Sequence, residues 1–201
     1  MGIFVITGIG TEIGKTIASA VFVKYLNAYY WKPIQTGQDS DSETIASLVS
    51  NPKIIPERYK LKLPASPHQA AEEENITILE NNLQLPNFEN NLIIEGVGGV
   101  MVPLNNDGLL FIDLIKMWKA KVILVSKNYL GSINHTLLTY EALKNRNIDI
   151  CGIVFNGESN FHTENTIQKY TKLPVILKIY PEKIINKQVI QNYANQIKWK
   201  I

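Results

Sequence analysis

The stretch "TGIGTEIGKT", residues 7–16, combines residue types and a spacing that suit phosphate binding. It follows the apolar run "IFVI" and precedes an apolar, helix-like stretch. A strand that ends in glycines and restarts as a helix directs a row of backbone N–H groups at one place, with the positive end of the helix dipole behind them. Lys15 can reach a terminal phosphate, and the Thr16 hydroxyl can hold a magnesium ion. The stretch therefore predicts a phosphate-binding loop.

The spacing of this loop differs by one residue from the usual pattern. G-x-x-x-x-G-K-[ST] requires a glycine at position 9, where this chain has Ile9, and Gly8 comes one residue too early. The alternative interpretation is an ordinary glycine turn between a strand and a helix. Because "GKT" stands at the head of a predicted helix and follows an N-terminal strand, the nucleotide interpretation is favoured.

Two further charged side chains follow apolar strands and are candidates for the same site. Glu95 ends the run "NLIIE", where a carboxylate can bind magnesium directly or through water. Lys32 lies in "WKPIQTG", and two lysines that converge on one phosphate would stabilise the charge of a phosphoryl group in transfer. The alternatives are a solvated glutamate before a turn and a surface lysine.

Other polar residues lie near predicted helix starts and strand ends. The run "QDSDSET" contains three carboxylates, Asp39, Asp41 and Glu43, and capping of the next helix is the favoured role for any one of them. A helix that starts near Gly131 would have free N–H groups able to receive a carboxylate. Asn156 ends another apolar strand, where it could bond a base edge or satisfy a turn.

The elements that must position these residues alternate between apolar strands and helical patterns. This alternation predicts an α/β fold with a doubly wound, mostly parallel sheet and helices on both faces, a three-layer sandwich like that of P-loop NTPases. In such folds ligands bind at the carboxyl ends of the strands. The predicted strands after the first are 29–33, 91–96, 121–126, 150–156 and 174–179, and the predicted helices are 15–28, 41–50, 109–118, 131–146, 162–171 and 186–199.

Composition limits the function classes. A chain of 201 residues with 45% hydrophobic residues fits one domain, 1–201. The net charge of +2 gives no basic face for nucleic acid. Cys151 is the only cysteine, which excludes an internal disulfide and a cysteine-based zinc site. No apolar run approaches ~18 residues and the N-terminus has no secretory pattern, so we expect a cytoplasmic location and no membrane partner.

Several motifs together resemble the dethiobiotin synthetase family. They are "TGIGTEIGKT", "KPIQTG", "SPH", "IIEGVGG" followed by "VPL", "LGSINHTLLT" and "GIVFN", in the family's order from residue 2 to about residue 156. The extra residue in the phosphate loop is a feature of that family. The resemblance implies an ATP- and Mg²⁺-dependent ligase that acts on 7,8-diaminononanoate and CO2. A carbamate and a carbamic–phosphoric anhydride would lead to the cyclic urea of dethiobiotin and free phosphate.

The resemblance also implies residue roles. Lys15 and Lys32 would be catalytic, with Lys32 facing the carbamate and the γ-phosphate. Magnesium would be held by Thr16, Glu95 and Glu43 (or Asp41), with Glu43 preferred because "SETIA" matches the family's helix start. Nucleotide contacts would come from Glu12, Ile13, Gly14, Lys15, Thr16, Ile17, Glu95, Gly96, Val97 and Gly98, with Asn156 and Pro181 at the adenine. The diamine would meet Thr36, and its carboxylate would meet Gly131, Ser132, Ile133 and Asn134 from the partner subunit of a homodimer.

A nucleotide-switch ATPase of the partitioning or Mrp-like kind is the alternative function. Such proteins carry a second lysine inside the phosphate loop. This chain has Thr11 and Glu12 at that part of the loop, which counts against the alternative.

Overall fold

A computed structural model describes residues 1–199 of the chain. Its helices are α1 (Lys15–Leu26), α2 (Asp41–Leu48), α3 (Pro67–Glu73), α4 (Phe111–Met117), α5 (Ser132–Lys144), α6 (Phe161–Thr171) and α7 (Lys187–Gln196), with a 3-10 turn at Glu80–Leu83. Its strands are β1 (Ile3–Gly8), β2 (Tyr29–Trp31), β3 (Ile34–Thr36), β4 (Lys53–Ile55), β5 (Tyr59–Leu61), β6 (Leu92–Gly99), β7 (Lys121–Lys127), β8 (Ile150–Asn156) and β9 (Val175–Ile179).

Seven strands form one parallel sheet in the order β4-β2-β6-β1-β7-β8-β9. The first strand lies in the middle, where β1 pairs with β6 on one side and β7 on the other. The sheet extends from β1 in both directions, through β7, β8 and β9 on one side and β6, β2 and β4 on the other, which is the doubly wound arrangement. The predicted fold class is confirmed.

Helices cover both faces of the sheet, and the alternation along β2 shows how the sequence separates the two cores. Tyr30 is fully buried in the core shared with α1, α2 and α7. The next residue, Trp31, points to the opposite face, where its ring lies 5.5 Å from the ring of Trp118 beyond α4. Because successive side chains of a strand point to opposite faces, each strand contributes to both cores.

A proline divides the region predicted as one strand, 29–33. Pro33 has no N–H group to donate to a ladder, and β2 ends at Trp31, before Lys32. The chain then forms β3, which pairs with β5 in a separate two-stranded parallel sheet. The short strands β3, β4 and β5 and the helix α3 were not predicted.

The parallel arrangement brings several functional segments to one edge of the sheet. The phosphate loop follows β1, Lys32 follows β2 and Asn156 ends β8. Glu95 lies inside β6, which extends to Gly99 and so past the predicted end at residue 96. In residues 1–199, no helix combines the length and the apolar character that a membrane crossing requires.

Candidate active site

The phosphate loop connects β1 to α1 and has two residues in the left-handed region. Gly14 has φ +95° and Glu12 has φ +57°. The Lys15 side chain is 7% exposed, and its Nζ donates a hydrogen bond to the carbonyl of Gly10 at 2.8 Å. Burial, reinforced by the positive charge of Lys32, lowers the pKa of Lys15 to about 8. The lysine of the loop is thus folded back inside it.

The side chain of Asn156, at the end of β8, holds this loop by a hydrogen bond to its backbone. Its Nδ2 donates a hydrogen bond to the carbonyl of Ile13 at 2.8 Å. A Cβ atom at Gly14 would lie only 2.2 Å from the same nitrogen. A larger residue at position 14 would therefore displace the Asn156 amide and break its hydrogen bond to Ile13.

Thr16 brings two carboxylates together at the mouth of the loop. Its Oγ1 lies 2.7 Å from Asp41 Oδ1 and 2.8 Å from Glu95 Oε1. One hydroxyl has one proton and can donate to only one of these oxygens at a time. The two carboxylates therefore face each other across a shared oxygen, an arrangement that a cation would stabilise.

Lys32 supplies positive charge to the same cluster. Its Nζ lies 2.6 Å from Asp41 Oδ2 and 3.2 Å from Glu95 Oε1, and it donates to the carbonyl of Gly96 at 3.1 Å. Burial alone would lower the pKa of Lys32, but the charges of Glu95 and Asp41 raise it. Burial alone would raise the pKa of Asp41, but Lys32 and the Thr16 hydroxyl lower it. Both groups are therefore charged.

The preference for Glu43 over Asp41 as the third metal residue does not agree with this geometry. Asp41 reaches both Thr16 and Lys32, whereas Glu43 is exposed to solvent. Ser40 caps α2, and its Oγ accepts a hydrogen bond from the Glu43 backbone N–H at 3.3 Å. Because two residues span about 200° of an α-helix, a helix fixed in this phase directs only Asp41 at the loop.

A cavity of about 520 Å³ opens from the cluster. Thr36, at the end of β3, lines this cavity together with Gln35 and Gly37. Of the predicted nucleotide and catalytic residues, those on its wall are Glu12, Ile13, Gly14, Lys15, Thr16, Ile17, Lys32, Glu95, Val97 and Gly98.

The remaining predicted residues lie elsewhere. Gly96 contributes its carbonyl to Lys32, and a Cβ at Gly96 would lie 2.7 Å from the Phe111 ring, so glycine is needed there for packing. Pro181 is exposed in the segment after β9. The adenine contacts of Asn156 and Pro181 stay predictions.

The start of α5 does not join this cavity within one chain. Gly131, Ile133 and Asn134 line a different cavity of about 800 Å³, and within residues 1–199 the two cavities share no lining residue. Ser132 is buried beneath this helix start, where its Oγ accepts from the Tyr129 N–H at 3.3 Å. A role for this helix start at the phosphate loop therefore requires a second chain, as the predicted homodimer provides.

Two polar residues that hold the site in place were missed from the sequence. Tyr30 donates its hydroxyl to Glu95 Oε2 at 2.9 Å. Gln35 bridges the loop before α2: its Nε2 donates to the carbonyls of Thr36 and Asp39, and its Oε1 accepts from the Asp41 N–H. Tyr30 precedes Lys32 by two residues and so lies on the same face of the chain, a signal that was available.

The donor set suits magnesium. Mg²⁺ takes oxygen ligands and is usually bound by one or two carboxylates together with substrate phosphates. Thr16, Asp41 and Glu95 offer a hydroxyl and two carboxylates on one side of the cavity. In the described part of the chain, no group of three or more His, Cys, Asp or Glu residues could hold a metal ion by itself. A site completed by phosphate oxygens therefore fits these residues.

Comparison with known proteins agrees with the motifs. A family model described as an AAA domain matches residues 3–189. An ATP-dependent dethiobiotin synthetase from Cytophaga hutchinsonii is 50% identical over 195 residues, which cover 95% of this chain and 94% of that protein. The chain belongs to the dethiobiotin synthetase family. It is therefore an enzyme of the cyclo-ligase class.

Other comparisons support the family and the fold. A dethiobiotin synthetase from Christiangramia forsetii is 45% identical over 202 residues, with 98% of this chain and 97% of that protein covered. The structure of a ParA family ATPase from Chlorobium tepidum superposes with a TM-score of 0.58, covering 96% of this chain and 97% of that one. At 11% sequence identity, this second likeness shows a common fold and nothing more.

Proposed function

We propose that this dethiobiotin synthetase family member closes the ureido ring of dethiobiotin from 7,8-diaminononanoate, CO2 and ATP, with Mg²⁺ as its cofactor. The observation that carries the proposal is the convergence of Lys15, Thr16, Lys32, Asp41 and Glu95 on one cavity, in a chain 50% identical to an ATP-dependent dethiobiotin synthetase. Phosphoryl transfer needs positioning and charge stabilisation more than a protein nucleophile, and this cluster offers both.

The phosphate loop is the proposed ATP site. Backbone N–H groups of residues 12–17 would surround the phosphates at the start of α1, whose dipole favours an anion. Lys15 Nζ would leave the Gly10 carbonyl, its partner at 2.8 Å, and bind phosphoryl oxygens. Because this lysine already lies inside the loop, the exchange moves the ammonium over a short distance.

Thr16, Asp41 and Glu95 are the proposed magnesium residues. Magnesium there would neutralise charge on the phosphates and orient the terminal phosphoryl group. The three side chains already converge, with both carboxylates within 2.8 Å of Thr16 Oγ1. We propose Asp41 for this role in place of Glu43.

Lys32 is the proposed catalytic lysine. Its ammonium is buried and kept charged by Asp41 and Glu95, so it is available to stabilise negative charge that develops during transfer. It lies at the end of β2 beside the cavity that would hold the diamine, with Thr36 on the same wall. This position allows it to face the carbamate and the γ-phosphate together.

The proposed reaction balances without a protein nucleophile. An amine of the substrate adds to CO2 and loses a proton, which gives a carbamate. A carbamate oxygen attacks the γ-phosphorus and ADP leaves, which gives a carbamic–phosphoric anhydride. The second amine attacks the carbonyl carbon, the bond from carbon to the bridging oxygen breaks, and phosphate leaves with that oxygen as the ring closes.

A homodimer would complete the substrate site. The carboxylate of the diamine would bind at the α5 start of the partner chain, residues 131–134, whose N–H groups favour an anion. Large apolar side chains lie exposed around this helix start: Leu130, Leu138 and Phe161 are 103%, 61% and 73% exposed. In the proposed dimer a two-fold interface covers these side chains and places each helix start at the partner's phosphate loop. Native mass spectrometry tests the dimer, and a monomer under turnover conditions would contradict it.

Oxygen labelling tests the proposed reaction. With [18O]bicarbonate, diaminononanoate, ATP and magnesium, we expect dethiobiotin to form and one 18O atom to appear in the released phosphate, because the bridging oxygen comes from CO2. A switch ATPase would transfer the γ-phosphate to water instead. Phosphate without label, released under conditions in which the bicarbonate keeps its 18O, would contradict the carbamate route.

A further inference from the structure

Tyr30 is a fully buried residue, 0% exposed, whose hydroxyl meets the proposed magnesium site. The hydroxyl donates a hydrogen bond to Glu95 Oε2 at 2.9 Å. The register of the sheet explains the contact: Tyr30 of β2 lies beside Ile93 of β6. Glu95 comes two residues after Ile93, on the same face of β6. A phenol is long enough to reach across that step.

The two oxygens of Glu95 have different partners. Oε1 faces Thr16 Oγ1 at 2.8 Å and Lys32 Nζ at 3.2 Å, whereas Oε2 accepts from Tyr30. The last torsion of a glutamate side chain is broad and only weakly restricted by itself. The Tyr30 hydroxyl therefore fixes the rotation of the carboxylate and keeps Oε1 on the side of the phosphate loop.

Loss of this hydroxyl would leave a buried oxygen without a donor. Glu95 is 1% exposed, so water cannot readily replace the phenol. A buried carboxylate oxygen without a partner is costly, so the carboxylate would turn to bring Oε2 toward Lys32 Nζ, the charged one of the two remaining donors, Lys32 and Thr16. That rotation would draw Oε1 away from Thr16.

We propose that Tyr30 is a positioning residue that acts through Glu95 and holds Oε1 in place for a divalent cation bound beside Thr16. This inference rests on the proposed function, because it takes a magnesium nucleotide as the ligand of the site. Hydrogen-bond partners of metal ligands commonly change metal affinity by about 10–100-fold when they are removed.

The test uses Tyr30→Phe in the full chain, with Mn²⁺ as the probe. Electron paramagnetic resonance measures Mn²⁺ affinity in the presence of a non-hydrolysable ATP analogue. We expect Tyr30→Phe to raise the Kd for Mn²⁺ about tenfold, the lower end of the range for such partners. Thermal unfolding of each variant separates this effect from a loss of stability.

Tyr25→Phe is the matched control. Tyr25 is half-buried and donates its hydroxyl to the carbonyl of Trp199, so the same substitution there also removes one hydrogen bond. It follows Lys15 by ten residues in α1, which places it roughly 15 Å along the helix from the phosphate loop. We expect this variant to bind Mn²⁺ as the wild type does.

A second pair of variants keeps the ring volume constant. p-Aminophenylalanine at position 30 retains a donor at the para position, and p-methylphenylalanine fills the same space without one. We expect the amino variant to bind Mn²⁺ within about twofold of wild type and the methyl variant to bind about tenfold more weakly. This pair remains informative if the cavity left by Tyr30→Phe disturbs folding.

The outcomes are distinguishable. Wild-type Mn²⁺ affinity in Tyr30→Phe and in the methyl variant would overturn the positioning role, even if both variants unfold at lower temperature. A failure of the wild type itself to bind Mn²⁺ with the nucleotide would instead contradict the proposed function, and the inference would fall with it.

Discussion

Lys32 Nζ lies 2.6 Å from Asp41 Oδ2, in an ion pair that joins the end of β2 to the start of α2. The lysine is 4% exposed, and Asp41 also touches the hydroxyl of Thr16 in the phosphate loop. The pair therefore links the residue proposed for catalysis to a residue proposed for magnesium. Binding of magnesium beside Asp41 would weaken this attraction and free the ammonium for substrate.

Replacement of Lys32 by Met should reduce turnover far more than nucleotide binding. The methionine keeps an apolar stem but removes the charge that would stabilise the transferring phosphoryl group. We expect kcat to fall by on the order of 10² or more, the scale for one preorganised electrostatic contact. ATP affinity, measured by calorimetry, should stay within a few-fold. The matched variant Lys15→Met should lose both turnover and ATP affinity. A near-normal kcat in Lys32→Met would remove Lys32 from the mechanism.

Asp41→Asn should raise the magnesium requirement, whereas Glu43→Gln should not. Asp41 lies within hydrogen-bond distance of Thr16 Oγ1, and Glu43 is exposed on another side of α2. Initial rates titrated with magnesium at saturating ATP measure the difference. A larger shift in Glu43→Gln than in Asp41→Asn would contradict the assignment of Asp41 to the magnesium site.

Gly14→Ala should lower the free energy of unfolding much more than Gly108→Ala does. Both glycines have a similar positive φ, +95° and +93°, so both substitutions place alanine in a region that L residues rarely adopt. Only at Gly14 would the new Cβ meet another atom, Asn156 Nδ2 at 2.2 Å, whereas at Gly108 no heavy atom lies within 4 Å. We expect Gly108→Ala to cost about 1 kcal/mol in the free energy of unfolding and Gly14→Ala clearly more.

Combining Gly14→Ala with Asn156→Ala tests the cause of this difference. The double variant removes the clash but not the backbone strain. Its loss in the free energy of unfolding, measured with urea, should therefore be smaller than the sum of the losses in the two single variants. Strict additivity would show that the contact between these residues is not what makes Gly14 necessary.

Glu164 should make stability depend on pH below about 5. This carboxylate is 4% exposed, lies 2.5 Å from Lys178 Nζ, and accepts hydrogen bonds from Asn128, Ser159 and Asn160. Burial alone would raise the pKa of Glu164, but these donors lower it below its usual value. A carboxylate with a lowered pKa contributes stability above its unfolded pKa of about 4.3, and this stability is lost as pH falls through the folded pKa.

Urea unfolding of Glu164→Gln at several pH values checks this expectation. At pH 7 the variant should be about 1–3 kcal/mol less stable than wild type, the scale of hydrogen bonds to a charged group. The difference should persist to about pH 5 and shrink below about pH 4. Glu141→Gln, at an exposed position of α5, is the control and should show no such trend. A difference that stays constant down to pH 3 would assign the stability to packing.

The long apolar strands made the main sheet predictable, whereas three short strands were not predicted. Buried runs such as 121–126 leave little alternative in an α/β chain, and their alternation with helices dictates parallel pairing. β3, β4 and β5 have three residues each, too few to show a period of two. Their position depends on contacts distant in sequence, such as the pairing of Ile34 with Tyr59.

Sequence patterns predicted which residues the structure brings to the candidate site, but they did not determine the contacts among them. The loop and Lys32 follow directly from strand ends, since parallel strands end at one edge of the sheet. Glu95 was predicted as the charged residue that ends an apolar run, although β6 continues past it to Gly99. The choice between Asp41 and Glu43 depended on the phase of α2, which the Ser40 cap fixes. The Tyr30 hydroxyl acts on a carboxylate 65 residues away in the sequence. Its spacing from Lys32 indicates the face on which it lies, but not the partner that it meets.

Phosphate release with and without diaminononanoate tests the central claim most directly. Purified enzyme receives ATP, magnesium and bicarbonate, and dethiobiotin is quantified by mass spectrometry in the same samples. The proposed ligase should release phosphate only when the diamine is present, with one dethiobiotin formed for each phosphate. Phosphate release at the same rate without the diamine, and without dethiobiotin, would contradict the proposed function and indicate a nucleotide-switch ATPase.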